Sequence, residues 1–359
     1  MKLANQIRTT SIALFICLAA TNTSAQVSYE RILNSADEPE NWLTYNGGYK
    51  SQRYSQLDQI TPENVVDLKL QWTLQNQVFG AWQSNPIVVD GIMYITERPN
   101  SVMAVDAITG RVFWKYRHVP AENALICCGA NNRGVAVLDD KVFMGTLDAR
   151  LVALDRVTGS ALWNVEVGDV DLAYSVTMAP LVVKDKVIVG VGGGEFGIRG
   201  YVAAYDAETG EEAWKTYTIP GPGELNHDSW QGDDWEHGGA SVWITGSFDP
   251  ELNLTYWGVG NPGPDWNAGQ RPGDNLYSDS VIALDADTGE LKWHFQFTPN
   301  DAYDYDAVQV PVLADIVWRG TPSKIMMWAN RNGYFYVLDR VTGEFLEGKP
   351  YVTVNWSSG

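Results

Sequence analysis

Apolar and polar residues alternate in short runs along most of this chain, and one polar motif punctuates them again and again. AVDAITGRVFW covers Ala104 to Trp114, ALDRVTGSALW covers Ala153 to Trp163, AYDAETGEEAW covers Ala204 to Trp214, and ALDADTGELKW covers Ala283 to Trp293. A fifth copy, VLDRVTGEFL, covers Val337 to Leu346 and lacks the tryptophan. The alternating flanks predict strands. The shared Asp-x-x-Thr-Gly core predicts a tight turn, in which Asp and Thr bond local backbone and Gly takes positive φ. Each copy therefore reads as a β-hairpin.

The repeat aspartates stand at 106, 155, 206, 285 and 339, with spacings of 49, 51, 79 and 54 residues. A period of about fifty residues matches one four-stranded propeller blade. Further strand-like runs fill the gaps, among them PIVVDGIMYIT (Pro86 to Thr96), AVLDDKVFMGT (Ala136 to Thr146) and PLVVKDKVIVGV (Pro180 to Val191). The expected fold is an all-β propeller of tryptophan-docked four-stranded blades, with the repeated tryptophans packing blade against blade. The 79-residue gap holds an insertion, placed at residues 220–240, a polar, Gly-rich and aromatic stretch. Five hairpins do not close a propeller of six to eight blades, so the sequence is expected to lack the final ones.

Charge and termini narrow the functional classes. The chain has 359 residues with 25 basic and 44 acidic side chains, a formal charge of −19. That balance disfavours a nucleic-acid partner, which calls for a basic face. Residues 1–25 read as an export signal. Lys2 and Arg8 precede an apolar run from Ser11 to Ala20, and Thr23-Ser24-Ala25 offers a small-x-small cleavage site. The run is too short to span a bilayer, and no other hydrophobic stretch is long enough, so no integral membrane segment is expected. Cleavage after Ala25 leaves a mature domain from residue 26 to 359 with two cysteines, Cys127 and Cys128, in a compartment where disulfides persist. These two are adjacent. Neighbouring Cα atoms lie about 3.8 Å apart, whereas ordinary disulfides want about 4.4–6.8 Å. They are either two free thiols or a strained vicinal disulfide with a local purpose.

Three segments break the repeat with polar groups that a blade does not need. GGGEFG (Gly192 to Gly197) follows an apolar strand; its glycines allow close backbone approach to a flat ligand, and Glu195 supplies a carboxylate. GNPGP (Gly260 to Pro264) offers the Asn261 amide. NDAYDYD (Asn300 to Asp306) places Asp304 and Asp306 on one side if the segment is extended. A Glu, an Asn and one or two Asp form a hard-oxygen set suited to Ca²⁺ or a similar large cation rather than zinc. His118, His227, His237 and His294 share no metal-ligand spacing.

Together, the repeats, the adjacent cysteines, GGGEFGIRGYVAAYD, GNPGPDWN, TPNDAYDYD and ANRNGYFYVLDR resemble the quinoprotein alcohol dehydrogenases, the methanol/ethanol dehydrogenase family that uses pyrroloquinoline quinone (PQQ). The resemblance runs from about Asn41 to Gly359 and implies an eight-bladed propeller. It implies that Cys127 and Cys128 form a disulfide lying flat against one face of PQQ, with Trp243 on the opposite face. Arg133, Thr177, Gly193 and Gly194 match further cofactor contacts. Glu195, Asn261 and Asp304 match metal ligands, and Asp304 the catalytic base. Arg331 matches the arginine near the quinone oxygens. Asp306, two places after Asp304, matches the lanthanide-dependent branch rather than calcium-dependent members.

The implied activity is hydride transfer from a small alcohol to PQQ, with Ca²⁺ or a lanthanide as Lewis acid and a periplasmic cytochrome c as electron acceptor. A homodimer would fit the family's habit, and no C-x-x-C-H haem motif occurs in the sequence. Two alternatives compete: a non-catalytic propeller scaffold with PQQ-like repeats, and a quinoprotein dehydrogenase for sugars or polyols. The scaffold has no reason to carry the cysteines, GGGE, GNP and DYD together.

Overall fold

The computed structural model describes residues 26–357, so the export signal read from residues 1–25 lies outside the described residues. Five four-stranded sheets span residues 87–117, 136–166, 181–217, 247–296 and 312–350. In every one, sequence neighbours pair antiparallel and the strand order is consecutive. The first sheet shows the pattern, with strands Ile87–Val89, Ile92–Glu97, Ser101–Asp106 and Val112–Arg117. These are the blades expected from the repeat.

The Asp-x-x-Thr-Gly copies join the third and fourth strand of each sheet. In the first, Asp106 Oδ1 accepts from Ile108 N (2.9 Å) and Thr109 N (3.0 Å), and Gly110 N donates to Asp106 O (2.8 Å). The same carboxylate bonds recur at Asp155, Asp206, Asp285 and Asp339. A register shift follows each turn at the same place. A short polar side chain thus fixes the turn locally, before any blade packs.

Burial differs across each blade. Middle strands are covered on both faces, as in Lys141–Gly145 and Ser280–Asp285. The outermost strand alternates, with Val112–Arg117 and Ala161–Glu166 exposing every second residue. The fourth sheet sends Trp257 and Ile282 into one buried cluster and Tyr256 and Val281 into another.

The repeated tryptophans join successive blades. Trp114 Nε1 donates to Arg156 O (3.1 Å) in the next blade's turn, Trp163 to Ala207 O (3.3 Å) and Trp214 to Ala286 O (3.2 Å). Each indole lies on the glycine of that next turn. Gly159 has φ +72°, and a Cβ there would lie 2.5 Å from the Trp114 ring. Trp293 faces Gly343 in the same way. A further tryptophan, Trp72, docks identically on Gly110 and Ala107 O (3.1 Å) from a segment that carries no strand.

Strand order decides where loops go. In a consecutive antiparallel sheet, the entry to strand one, the link from two to three and the exit from four share one end. The Asp-x-x-Thr-Gly turns occupy the other. The segment before the first sheet touches all five blades. Val27 bridges Asp139 and Trp42 bridges Val88. Tyr49 Oη donates to Val182 O (2.9 Å), while Phe248 N and Leu313 N donate to Tyr49 O and Lys50 O (both 3.0 Å). The insertion placed at residues 220–240 is in fact two: 218–246 between sheets, and 259–279 within the fourth sheet. They meet through a Gly239–Pro262 bridge. No helix among the described residues is long and apolar enough to cross a membrane.

Gly159→Ala tests the docking. It combines a positive φ with overpacking against an indole, so a loss of about 2–4 kcal/mol is expected from urea unfolding. An unchanged midpoint would show that the Trp–Gly contact contributes nothing to the assembly.

Candidate active site

The loops at the shared end enclose a cavity of about 230 Å³. Its wall includes Cys127, Cys128, Arg133, Thr177, Gly193, Glu195, Trp243, Asp304, Asp306 and Arg331. Each comes from the loop class that topology sends there. Cys127 and Arg133 precede the second sheet, Thr177 the third, Trp243 the fourth and Asp304 the fifth. Gly193 and Glu195 link strands two and three of the third sheet, and Arg331 does so in the fifth. Asn261, in the equivalent link of the fourth sheet, and Gly194 are buried residues outside that wall.

Cys127 and Cys128 are joined by a disulfide, which closes the alternative of two free thiols. Cys128 Sγ lies 3.9 Å from Glu195 Oε1. Being oxidised, the sulfur has no proton to donate, so this is a contact and not a hydrogen bond. The Cys127, Cys128 and Glu195 atoms converge, yet bonded sulfurs offer no thiolate ligand. Arg98 Nε donates to Ala130 O (3.0 Å) and steadies the loop from behind.

The second wall is Trp243. The Arg133 guanidinium sits 4.7 Å from its ring centre and donates to Thr177 Oγ1 (2.7 Å). Burial pushes the Arg133 pKa down, with Tyr45 and Asp306 opposing. Gly193 has φ +117°, and a Cβ there would lie 2.3 Å from Ala173 O, so only glycine lets this backbone line the wall.

The carboxylates converge on Arg331. Its Nη1 lies 3.3 Å from Asp306 Oδ2 and its Nη2 3.7 Å from Asp304 Oδ2. Asp306 Oδ1 accepts from Trp243 Nε1 and from Asn261 N, both at 3.2 Å. Burial, then the like charge of Asp304, pushes Asp306 up to about 7. Burial likewise raises Asp304 to about 6, with Arg331 opposing. Glu195 is raised by burial as well.

One expectation needs correction. Residues 300–306 are not extended: Asn300, Asp304 and Asp306 have φ of 49°, 59° and 47°. The chain winds around Asp301, whose carboxylate accepts from Tyr303 N (2.9 Å) and Tyr305 N (2.8 Å). The alternating Asp and Tyr imitate a strand, but a local side-chain bond prevails. Both carboxylates still reach one arginine. GGGEFG follows the strand Lys186–Gly190 as expected, and its Gly194–Phe196 forms a 3-10 turn.

Sequence reasoning missed several residues here. Ser175, Ser241 and Asn131 also line the cavity, and Asn131 Oδ1 is buried without a partner. Asp301 carries a turn signal at two and four residues that alternation concealed. Asp265 accepts from Asn261 Nδ2 (2.9 Å).

The residues fit a flat quinone and a hard cation. The cavity has a disulfide on its wall, an indole, a buried guanidinium and a glycine whose position admits no side chain. Its ion-binding candidates are oxygens without histidine or thiolate, the donor set of a large hard cation.

The comparisons agree with this chemistry. Residues 42–353 match the model of the glucose/ethanol/alcohol dehydrogenase β-propeller domain. The chain is 44% identical to quinohemoprotein alcohol dehydrogenase ADH-IIG of Pseudomonas putida, covering 98% of this chain and 52% of that protein. It is 40% identical to the lanthanide-dependent methanol dehydrogenase of Methylacidiphilum fumariolicum, covering 91% and 57%. A solved europium-containing methanol dehydrogenase superposes with a TM-score of 0.87 at 39% identity, covering 92% of this chain and 61% of that one. The chain spans about half the length of the first of these relatives.

Asp304 and Asp306 each contribute to the pH response of the protein. Unfolded aspartate ionises near pH 3.9, whereas Asp304 and Asp306 do so near 6 and 7. Across that interval the folded state holds more protons, so their contribution to stability falls as pH rises from about 4 to 7. The thermal midpoint of wild type is expected to fall more steeply over that window than that of Asp306→Asn. Equal slopes would contradict the burial of an ionising Asp306.

Proposed function

The chain belongs to the PQQ-dependent alcohol dehydrogenase family, and on that premise we propose that the protein oxidises a small primary alcohol at this cavity with PQQ and a metal ion. The observation that carries this reading is one cavity wall holding the disulfide, Trp243, Arg133, and the carboxylates of Glu195, Asp304 and Asp306 with Arg331. When bound, the quinone supplies a two-electron acceptor and the ion a Lewis acid.

This chain's residues do the rest. Cys127–Cys128 and Trp243 would hold a flat ring system. Arg133, only 9% exposed, would meet a carboxylate of the cofactor, with Thr177 fixing its direction. Gly193 and Gly194 keep the adjoining backbone slim. Glu195, Asn261, Asp304 and Asp306 would hold the ion. Asp304 is the base that would take the alcohol's hydroxyl proton, since a carboxyl raised to about 6 is well matched to proton transfer near neutrality. Arg331 would orient Asp304 and offset negative charge at the reacting centre.

Asp306 adds a further carboxylate to the set, which favours a trivalent ion, so we assign a lanthanide over calcium. Electrons would leave to a cytochrome c, and the acidic surface suits a basic partner. The export signal read from residues 1–25 supports a periplasmic location. Against the scaffold reading stands the cost of Asp306: a buried carboxyl pushed to about 7 weakens a fold that gains nothing from it.

Reconstitution of the full-length protein with PQQ and either La³⁺ or Ca²⁺, followed by alcohol-dependent dye reduction, tests the reading. Wild type is expected to prefer La³⁺. Asp306→Ala should lose at least about tenfold with La³⁺ while retaining Ca²⁺-supported turnover. Activity with Ca²⁺ alone would remove the lanthanide assignment. No PQQ uptake and no activity with either ion would remove the enzyme reading.

A further inference from the structure

The stretch GNPGPDWN holds one acidic residue, Asp265, which the proposed ligand set does not use. Asp265 lies in the 259–279 insertion, four residues beyond Asn261, and is partly exposed. Asn261 itself is 3% exposed, and its side-chain amide has two ends with opposite chemistry. Two acceptors face the nitrogen end: Asp265 Oδ1 at 2.9 Å and Pro262 O at 3.4 Å. No hydrogen-bond donor meets Asn261 Oδ1 among the described residues. The backbone of the same residue is fixed independently, its N–H donating to Asp306 Oδ1 at 3.2 Å and its carbonyl accepting from Ala240 N at 2.9 Å.

An asparagine can bind a cation only through its oxygen. With the amide reversed, its oxygen would face the carboxylate and the carbonyl, two like-signed acceptors, and the NH₂ would face the ion. We infer that Asp265 is a positioning residue that locks the Asn261 side chain with its oxygen free for the cation. This inference rests on the metal-dependent reading above. The chemistry of the pair supports it: a carboxylate only accepts, so it meets the NH₂ end of the amide and repels its oxygen, and the bond it receives is charge-assisted. Partners behind a metal ligand commonly govern affinity in this way.

The test uses the full-length protein loaded with PQQ, and compares wild type, Asp265→Ala and Asp265→Asn. La³⁺ and Ca²⁺ affinities are measured by titration, and the excitation spectrum of bound Eu³⁺ is recorded. The alanine variant frees the amide to turn and is expected to lose about 10- to 100-fold in affinity for both ions, with a changed Eu³⁺ line. The asparagine variant keeps the size and shape of the side chain but can donate as well as accept, so it no longer forces the orientation of the Asn261 amide. It is expected to lose affinity for both ions and to change the Eu³⁺ line, as alanine does. A merely structural role would be rescued by this isostere. Wild-type affinity in Asp265→Ala, or an asparagine variant that matches wild type, would overturn the inference while leaving the enzyme reading in place. A wild type that takes up neither ion would remove both.

Discussion

The contact between each tryptophan and the glycine of the next blade's turn is the constraint on which the rest depends. A four-stranded sheet alone has two apolar faces and cannot stand in water. Docking Trp114 on Gly159, Trp163 on Gly210 and Trp214 on Gly289 fixes one blade against the next at the end opposite the cavity. Glycine is required because the ring occupies the volume of a Cβ, and because the turn needs positive φ. With the blades held there, the opposite loops are brought together from four sheets. No single blade could assemble Cys127, Thr177, Trp243 and Asp304 around one space.

Within that space the governing problem is negative charge. Asp304 and Asp306 are both raised by burial, and among the described residues only Arg331 pairs directly with these two aspartates. A site of this kind stores an electrostatic cost in the metal-free fold that a cation relieves. The same burial that weakens the fold makes the oxygens strong ligands once ionised. Asp306 joins both sides of the problem. One of its oxygens is held by Trp243 and the Asn261 backbone, the other by Arg331. An indole wall, a ligand-bearing loop and the site's cation are thereby linked through a single carboxylate.

How much of this was legible in the sequence varies with the range of the interaction. The hairpins were readable because Asp106 and its counterparts make their bonds within three residues. The blade count followed from the period. The grouping of Cys127, Arg133, Trp243, Glu195 and Asp304 was accessible only through a family resemblance, since each motif alone is a few residues long and they come from separate blades. The shape of residues 300–306 was misread because a Tyr–Asp alternation has strand periodicity, while Asp301 winds the backbone locally. The reach of residues 26–50 across five sheets leaves no local signature. Neither does the bond from Asn261 to Asp265, because a polar loop residue has the same appearance whether it faces water or an amide.

One cavity would hold the quinone and the ion together. A crystal structure of the full-length protein grown with PQQ and La³⁺, with anomalous scattering collected at the lanthanum edge, is the measurement to make. The quinone is expected between the Cys127–Cys128 disulfide and Trp243, with an anomalous peak within coordination distance of Glu195, Asn261, Asp304 and Asp306. A quinone seated elsewhere, or a lanthanum peak away from those four side chains, would contradict it.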